Sequence, residues 1–346
     1  MDIIKTAVIG TGGIANLAHL PALQNMPGVE LIAACDIKEE ALQTSADKYD
    51  IKHRFLDYKK LLEMDEIQAV HILTPNDCHS PIAIDCMKAG KHVLVEKPIA
   101  RNVAEAQAMV DVAKTCKTKI MVAQCLRFTS ESQCLKRFIE AGDLGEIYFS
   151  RVWALRRRGI PGWGVFTNKE KQGGGPLIDI GVHSIDQALF LMGHPTPVSI
   201  SGCSYQKIGN VPGHVGFAGE WDDKNFTVED FATGLVKFSN GASMVIESSF
   251  AANIDTDHAK NTFLGDKGGA ELPPLKIYSE KNRTVVDITP VGLPDQNIYE
   301  TECIEFYKAI REDTEVPVTV GQALNTMRII EGIYKSSESG KEYIVS

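Results

Sequence analysis

Three stretches of this sequence have residue types and spacing that could do chemistry, and the first is a carboxylate next to an amine. Glu96, Lys97 and Pro98 end the apolar run 92–95. Ligands of open parallel sheets bind at the carboxyl ends of the strands, and an amine partly removed from water there can act as an acid or base near neutral pH. Taken alone, the triplet is better explained as a surface lysine at a turn, because short motifs often match by chance.

The second stretch is a glycine loop with the pattern G-x-G-x-x-A at residues 10–15, between an apolar strand and a helical pattern. Gly10 permits a tight turn and Gly12 lets the backbone approach a pyrophosphate, which the free amides of the next helix would also bind. Asp36 ends the following strand, where a carboxylate can bind the adenosine ribose. It would repel a 2′-phosphate, so the motif favours NAD, although Lys38 keeps NADP possible. The predicted cofactor residues here are Gly10, Gly12, Gly13, Ile14 and Asp36.

Another predicted strand end carries polar residues that could contact the same cofactor. Pro75 fixes an extended exit, and Asn76 could bond a ribose or an amide; the simpler interpretation is that Asn76 or Asp77 caps a helix. Position at a central strand end favours cofactor contact modestly. The predicted cofactor residues of this cluster and of the lysine strand are Thr74, Pro75, Asn76, His79, Glu96 and Lys97.

The third stretch is a triple glycine, residues 173–175, followed by a helical pattern that is apolar nearly all round. Asp179 and His183 are four residues apart and so share one helical face. Burying both without a purpose would be costly, and Gly181 inside the helix suggests close packing. A satisfied core pair is the simpler explanation, but a nearby dinucleotide site and Lys97 favour a catalytic pair.

A basic and aromatic stretch precedes the triple glycine and could line a substrate pocket. Trp163 could stack on a sugar ring, and Arg156 in the cluster 156–158 could bind hydroxyl, carboxylate or phosphate groups. A solvated basic turn with one buried Trp explains it equally well.

The elements that must position these residues form two domains. Residues 1–123 alternate continuous apolar runs with helical patterns, which predicts an α/β domain with a Rossmann-type doubly wound parallel sheet. Residues 124–346 contain hairpin-spaced strands that end in two helices, which predicts an α+β domain with a large, mostly antiparallel open sheet. We expect the terminal helices to pack back on the first domain.

Composition narrows the classes of partner. The 346 residues carry 36 basic and 45 acidic side chains, a net charge of −9, which argues against nucleic acid as a partner. No run is long enough to cross a membrane. The eight cysteines show no C-x-x-C pair, so we expect no metal site and a reduced, cytoplasmic protein.

In combination, the motifs resemble those of the Gfo/Idh/MocA oxidoreductase family, which includes inositol and glucose–fructose oxidoreductases. The resemblance covers essentially the whole chain. It implies that Lys97, Asp179 and His183 line a nicotinamide site, that Arg127 contacts substrate, and that the open sheet forms a homodimer or homotetramer. Gln124 departs from the Asn that members often have nearby.

We therefore expect hydride transfer between NAD or NADP and a secondary alcohol of a sugar, sugar derivative or cyclitol. In this hypothesis His183 takes the hydroxyl proton, Lys97 stabilises the developing alkoxide and Asp179 orients the substrate or Lys97; which of Lys97 and His183 is the base stays open. Two alternatives are an NAD-dependent glycosidase that works by transient oxidation and elimination, and a non-catalytic dinucleotide sensor.

Overall fold

The computed structural model describes residues 3–345 and divides the chain into two compact units. One unit comprises the chain up to Cys125 together with Asn297–Leu324, and the other comprises Leu126–Gln296 and the chain from Asn325 onward. The prediction placed one division after residue 123; in the structure the first unit also includes a helical segment from near the C-terminus.

A six-stranded parallel sheet forms the centre of the first unit, as predicted. Its strand order, β3-β2-β1-β4-β5-β6, changes direction between β1 and β4, which is where ligands bind in such sheets. The inner strands are apolar on both faces because helices cover both. The strands are β1 (Ile4–Ile9), β2 (Val29–Cys35), β3 (His53–Phe55), β4 (Ala69–Ile72), β5 (His92–Glu96) and β6 (Ile120–Ala123). The short, exposed β3 was not predicted.

The helices of the first unit alternate with these strands. The helical pattern after the glycine loop predicts one helix over residues 14–24. The structure has a π-helical turn, Ala15–His19, followed by the short helix α1 (Leu20–Gln24). The other helices are α2 (Glu39–Lys48), α3 (Tyr58–Leu62), α4 (Asn76–Lys88), α5 (Val103–Ala113) and α9 (Ile298–Arg311), and α10 (Val320–Ser339) contributes residues to both units.

A nine-stranded sheet dominates the second unit, with the order β14-β13-β12-β11-β7-β10-β9-β8-β15. Among the strand pairs described in this sheet, only that of β7 with β10 is parallel, which confirms a mostly antiparallel sheet. The strands are β7 (Ile147–Leu155), β8 (Pro197–Tyr205), β9 (Phe231–Phe238), β10 (Ser243–Ser249), β11 (His258–Gly265), β12 (Gly269–Leu272), β13 (Lys276–Lys281), β14 (Thr284–Ile288) and β15 (Tyr343–Ile344).

The pattern over residues 270–278 predicts a single strand, and this prediction was wrong. The stretch 270–278 is two strands, β12 and β13, because Pro273 and Pro274 lie between them and a proline has no N–H for the strand ladder.

The helices of the second unit include the one that carries the predicted acid–base pair. A 3₁₀ turn (Cys125–Phe128) leads from the first unit into α6 (Ser130–Glu140), and a short α7 (Lys169–Gln172) precedes the triple glycine. A π-helical turn, Leu177–Gly181, then continues into α8 (Val182–Leu191). In residues 3–345, no helix combines the length and apolarity required to span a membrane.

Candidate active site

The glycine loop is shaped by one glycine that must be small and two that face open space. Gly10 has φ +97°, and a Cβ there would lie 2.5 Å from the carbonyl oxygen of Leu73. A Cβ on Gly12 or Gly13 would meet no described atom within 4 Å. Gly10 therefore serves the fold, whereas Gly12 and Gly13 leave the room that a pyrophosphate needs above the loop.

Asp36 ties the end of β2 to this loop. Its Oδ2 accepts the backbone N–H of Thr11 at 2.8 Å and bonds the Thr11 hydroxyl at 3.1 Å, and its Oδ1 accepts the N–H of Lys38 at 2.8 Å. The carboxylate thus has a fixed position at the carboxyl end of β2, beside the loop. Its contact with the adenosine ribose stays a prediction.

His79 links the ends of two neighbouring strands. It lies in the first turn of α4, is 1% exposed, and contacts the carbonyl oxygen of Thr74 at 2.8 Å and that of Pro98 at 2.7 Å. Burial lowers its pKa. His79 therefore connects the two strand ends at the predicted cofactor edge. Pro75 precedes α4, and Asn76, 8% exposed, is the first residue of that helix.

Glu96 lies buried at the end of β5 and fixes the backbone of Lys97. Its Oε2 accepts the Lys97 N–H at 3.0 Å, and its Oε1 is 2.8 Å from Nε2 of His19. Burial acts to raise the pKa of Glu96, but the hydrogen bond of His19 and the charge of Lys97 hold it below its ordinary value. The carboxylate is therefore kept ionised directly beside the lysine.

Two buried polar atoms at this edge have no hydrogen-bond partner among the described residues. They are Thr74 Oγ1, just beyond β4, and Gln124 Oε1, just beyond β6. Lys97 follows β5, which lies between those two strands. Because buried polar atoms are normally paired, these atoms, with the open space at Gly12 and Gly13, fit a polar cofactor laid across the strand ends.

In the second unit, Glu229 holds the loop that leads into the Asp179 helix. Its carboxylate accepts the N–H groups of Gly175 at 2.9 Å and Leu177 at 3.2 Å and the Tyr334 hydroxyl at 2.8 Å. A Cβ on Gly174 would lie 2.1 Å from that hydroxyl oxygen. The glycines are thus required by a buried carboxylate–tyrosine clamp, which we call the Glu229 clamp and which sequence reasoning missed.

Asp179 and His183 follow the clamp and are both partly exposed. Asp179 lies in the π-helical turn and His183 in the first turn of α8. Gly181 between them packs on Ser248, since a Cβ would lie 3.1 Å from its Oγ. The predicted close packing at Gly181 is therefore present. Lys97 belongs to the other unit, and a site shared by these three residues stays a prediction.

Of the predicted substrate residues, Arg127 has the most fully determined surroundings. It is 1% exposed, and its Nε and Nη2 each donate to the carboxylate of Asp186 at 2.7 Å. This bidentate ion pair favours a structural role, and substrate contact by Arg127 stays a prediction. Arg156 donates to the Gly159 carbonyl at 3.2 Å, and Trp163 is 59% exposed.

The residues that sequence reasoning missed are buried polar groups: His19 and His71 in the first unit and Asp186 and Glu229 in the second. His71 offered a signal, because it interrupts an otherwise apolar strand. Glu229 offered none, since its partners are distant in the chain.

Comparison with known proteins identifies the class and then the family. A model described as oxidoreductase family, NAD-binding Rossmann fold, matches residues 4–124, and the GFO/IDH/MocA C-terminal domain model matches residues 132–271. The chain is thus an NAD-binding oxidoreductase. D-glucoside 3-dehydrogenase of Escherichia coli (strain K12) is 35% identical over 338 residues, 97% of this chain and 96% of that protein. The chain belongs to the Gfo/Idh/MocA family.

Solved structures show the same fold over the whole chain. An oxidoreductase domain protein from Kribbella flavida superposes with a TM-score of 0.88 at 25% identity, covering 100% of both chains. Levoglucosan dehydrogenase in complex with NADH superposes with a TM-score of 0.87 at 22% identity, with the same coverage. The family and the relatives named as dehydrogenases, rather than these superpositions, make the chain an NAD(P)-dependent dehydrogenase acting on CH–OH groups.

Proposed function

We propose that this enzyme transfers a hydride between a secondary hydroxyl of a sugar, sugar derivative or cyclitol and NAD. The observation that carries the proposal is the placement of Lys97 at the carboxyl end of β5, with its backbone held by the ionised Glu96. The glycine loop and Asp36 lie at the same edge of the same sheet. The 35% identity to a D-glucoside 3-dehydrogenase supports a glucoside-like substrate.

The cofactor would be held by groups that are already positioned. The open backbone at Gly12 and Gly13 would take the pyrophosphate and Asp36 the adenosine ribose. Thr74 and Gln124 would pair their unpartnered oxygens with it. When bound, NAD supplies the hydride acceptor.

The residues of the chain would then manage the proton and the charge. His183 would take the hydroxyl proton, while Lys97 donates a hydrogen bond to the same oxygen and stabilises developing negative charge. Asp179 would orient the substrate hydroxyl or Lys97. Whether Lys97 or His183 is the base is decided by the pH profiles of the two single variants.

Substrate selection would involve the stretch before the triple glycine. Trp163 exposes much of its ring and meets Phe166 edge-on at 6.3 Å between ring centroids, so it could stack on a sugar ring. Arg156 and Arg127 complete the predicted substrate set. A panel of neutral glucosides, uronic acids and sugar phosphates tests it: a preference for neutral sugars would remove Arg156 as an anion ligand.

The experiment that tests the proposed function is NAD reduction over D-glucosides, aldoses, levoglucosan, cyclitols and uronates. Stoichiometric NADH formation with at least one neutral polyol is expected. Glycoside cleavage without net NADH, by protein that retains its cofactor through purification, would support the glycosidase instead. NAD binding without turnover on any member of the panel would support a dinucleotide sensor.

We also propose that the enzyme is a homodimer or homotetramer formed through the open face of the nine-stranded sheet. Leu264 pairs with Phe149 and Leu235 with Val245 on that face, and Leu235 and Leu264 are 40% and 39% exposed. Exposed leucines on one face of an open sheet support association through that face. All eight cysteines are free thiols, which suits the reducing cytoplasm.

A further inference from the structure

A series of buried side chains leads from the core of the first unit to Glu96. His19 Nδ1 lies 3.0 Å from His71 Nδ1, and His71 Nε2 lies 2.9 Å from the hydroxyl of Tyr307. A further hydrogen bond of 2.9 Å joins that hydroxyl to Thr6 Oγ1. With the contact of His19 to Glu96, five side chains form one continuous hydrogen-bonded series.

The side chains of the series are buried and closely packed. Thr6, His71 and Tyr307 are 0% exposed and His19 is 1% exposed. The rings of His71 and Tyr307 are stacked with centroids 5.8 Å apart, and His19 meets His71 edge-on at 5.2 Å. Buried polar networks of this kind hold their members in one arrangement when every group is paired.

Donor and acceptor counting fixes the direction of the series. A neutral imidazole supplies one donor and one acceptor. If Glu96 is ionised, His19 donates to it from Nε2 and accepts at Nδ1, so His71 donates from Nδ1. The Nε2 of His71 then accepts from the Tyr307 hydroxyl, and every contact is satisfied with both histidines neutral.

An added proton would reverse the whole series. A protonated Glu96 would donate to Nε2 of His19, His19 would donate to His71, and His71 would donate to Tyr307. The Tyr307 hydroxyl would then donate to Thr6, and the Thr6 hydroxyl would be left with the Ile4 carbonyl, 3.5 Å away. That last bond is at the limit for a hydrogen bond. The protonation of Glu96 and the tautomers of both histidines are therefore coupled, and the arrangement with an ionised Glu96 has the better geometry.

We propose that His19, His71 and Tyr307 are positioning residues that act through Glu96 on Lys97. They hold the Glu96 carboxylate as an acceptor, and that carboxylate holds the backbone N–H of Lys97. The link to catalysis rests on the proposed function, because it needs Lys97 as the catalytic amine. The direction of the hydrogen bonds does not depend on the proposed function.

Other ionisable groups also act on Glu96 or respond to its charge. His79 and Lys97 favour its ionised form, and burial together with its charge raises the pKa of nearby thiols and of one tyrosine: Cys125, Cys303 and Tyr299. A change confined to Tyr307 leaves all of these groups in place, so it isolates the series.

The test compares Tyr307→Phe with the wild type in the pH dependence of kcat for NAD reduction. Loss of the hydroxyl leaves His71 Nε2 without a partner in either arrangement, so the preference for the arrangement with an ionised Glu96 is lost. The acidic limb should move up by about half a pH unit or more, a loss of roughly threefold at its foot, with wild-type turnover regained at high pH. Tyr49→Phe, a buried tyrosine whose hydroxyl bonds only weakly at 3.5 Å, is the matched control.

The Glu96→Gln background separates positioning from stability. There the Tyr307→Phe change should no longer move the pH profile, since the group it acts through is gone. If Tyr307→Phe lowers only the melting temperature and leaves the wild-type profile superimposable, the proposal is wrong.

A second measurement does not depend on the substrate. Nitrogen-15 spectra of labelled histidine should show His19 protonated at Nε2 and His71 at Nδ1 near pH 8, and Tyr307→Phe should alter the His71 tautomer. His19, His71 and Cys303 also lie close enough together to ligate a metal. One zinc per purified chain, lost in Cys303→Ser, would mean that the Nδ1 atoms bind metal and would overturn the series. Absence of turnover with correct tautomers would contradict only the proposed function.

Discussion

At the residue scale, the two kinds of glycine in the phosphate loop separate folding from cofactor binding. A Cβ on Gly10 would lie 2.5 Å from a backbone oxygen, and any residue at position 10 must adopt φ +97°. A Cβ on Gly12 would meet no described atom within 4 Å. The fold therefore requires a glycine at position 10, whereas it does not require one at position 12.

Gly12→Ala should leave stability nearly unchanged, within about 0.5 kcal/mol, while it weakens NADH binding at least about tenfold, or 1.4 kcal/mol. Gly10→Ala is the matched variant and should destabilise the protein instead. Denaturation and fluorescence titration measure both quantities. Unchanged NADH affinity in Gly12→Ala would contradict a pyrophosphate at this loop.

Asp36 gives a second prediction about the cofactor. Asp36→Ser removes the carboxylate that repels a 2′-phosphate, so the preference for NAD over NADP in kcat/KM should fall by about tenfold or more. Thr11→Val is the control, because it removes only the 3.1 Å bond of the Thr11 hydroxyl to Asp36 and keeps the carboxylate. An unaltered NAD/NADP ratio in Asp36→Ser would show that the carboxylate does not select the cofactor.

At the element scale, the Glu229 clamp positions the helix entry that carries Asp179. Glu229→Gln exchanges one acceptor oxygen for an amide and leaves a buried N–H or hydroxyl unpaired, so the free energy of unfolding should fall by about 1–3 kcal/mol at pH 7. Tyr334→Phe, which removes one hydrogen bond, should cost about 1 kcal/mol. Urea denaturation measures both; equal stability of all three proteins would mean that the clamp bonds contribute nothing.

The clamp also makes a pH prediction with a definite sign. Burial raises the pKa of Glu229 in the folded chain, so the folded state binds this proton more tightly than the unfolded state does. The stability that this group contributes is then greatest below the unfolded pKa and is lost as pH rises through the raised folded pKa. The stability gap between wild type and Glu229→Gln should narrow over that interval. A gap that widens with pH would mean that the three donors outweigh burial.

How much of these elements the sequence revealed depended on whether the signal was local. The βα pattern, the glycine loop and the strand ending at Glu96 were predicted because period and composition are local properties. The prolines at 273 and 274 were a visible warning that one predicted strand was two. The Glu229 clamp and the pairing of Arg127 with Asp186 were not predictable, because their partners are 52 or more residues apart in the chain.

At the scale of the whole molecule, the open sheet predicts association. Leu264→Arg places a charge on the apolar face, next to Phe149 in the sheet register, and should shift the protein toward monomers. Thr284→Arg, a similar change on the exposed strand β14, is the control. Light scattering after size exclusion measures the mass; an unchanged oligomer in Leu264→Arg would exclude this face as the interface.

For the molecule as a whole we propose a hydride transfer assisted by Lys97 and His183. Lys97→Met and His183→Asn, assayed with NAD and the best alcohol of the neutral sugar and cyclitol panel, test that assignment most directly. Each variant should lose about 10²–10⁴-fold in kcat, and saturating NAD should not restore the loss. Near wild-type turnover in both variants on the true substrate would contradict the assignment.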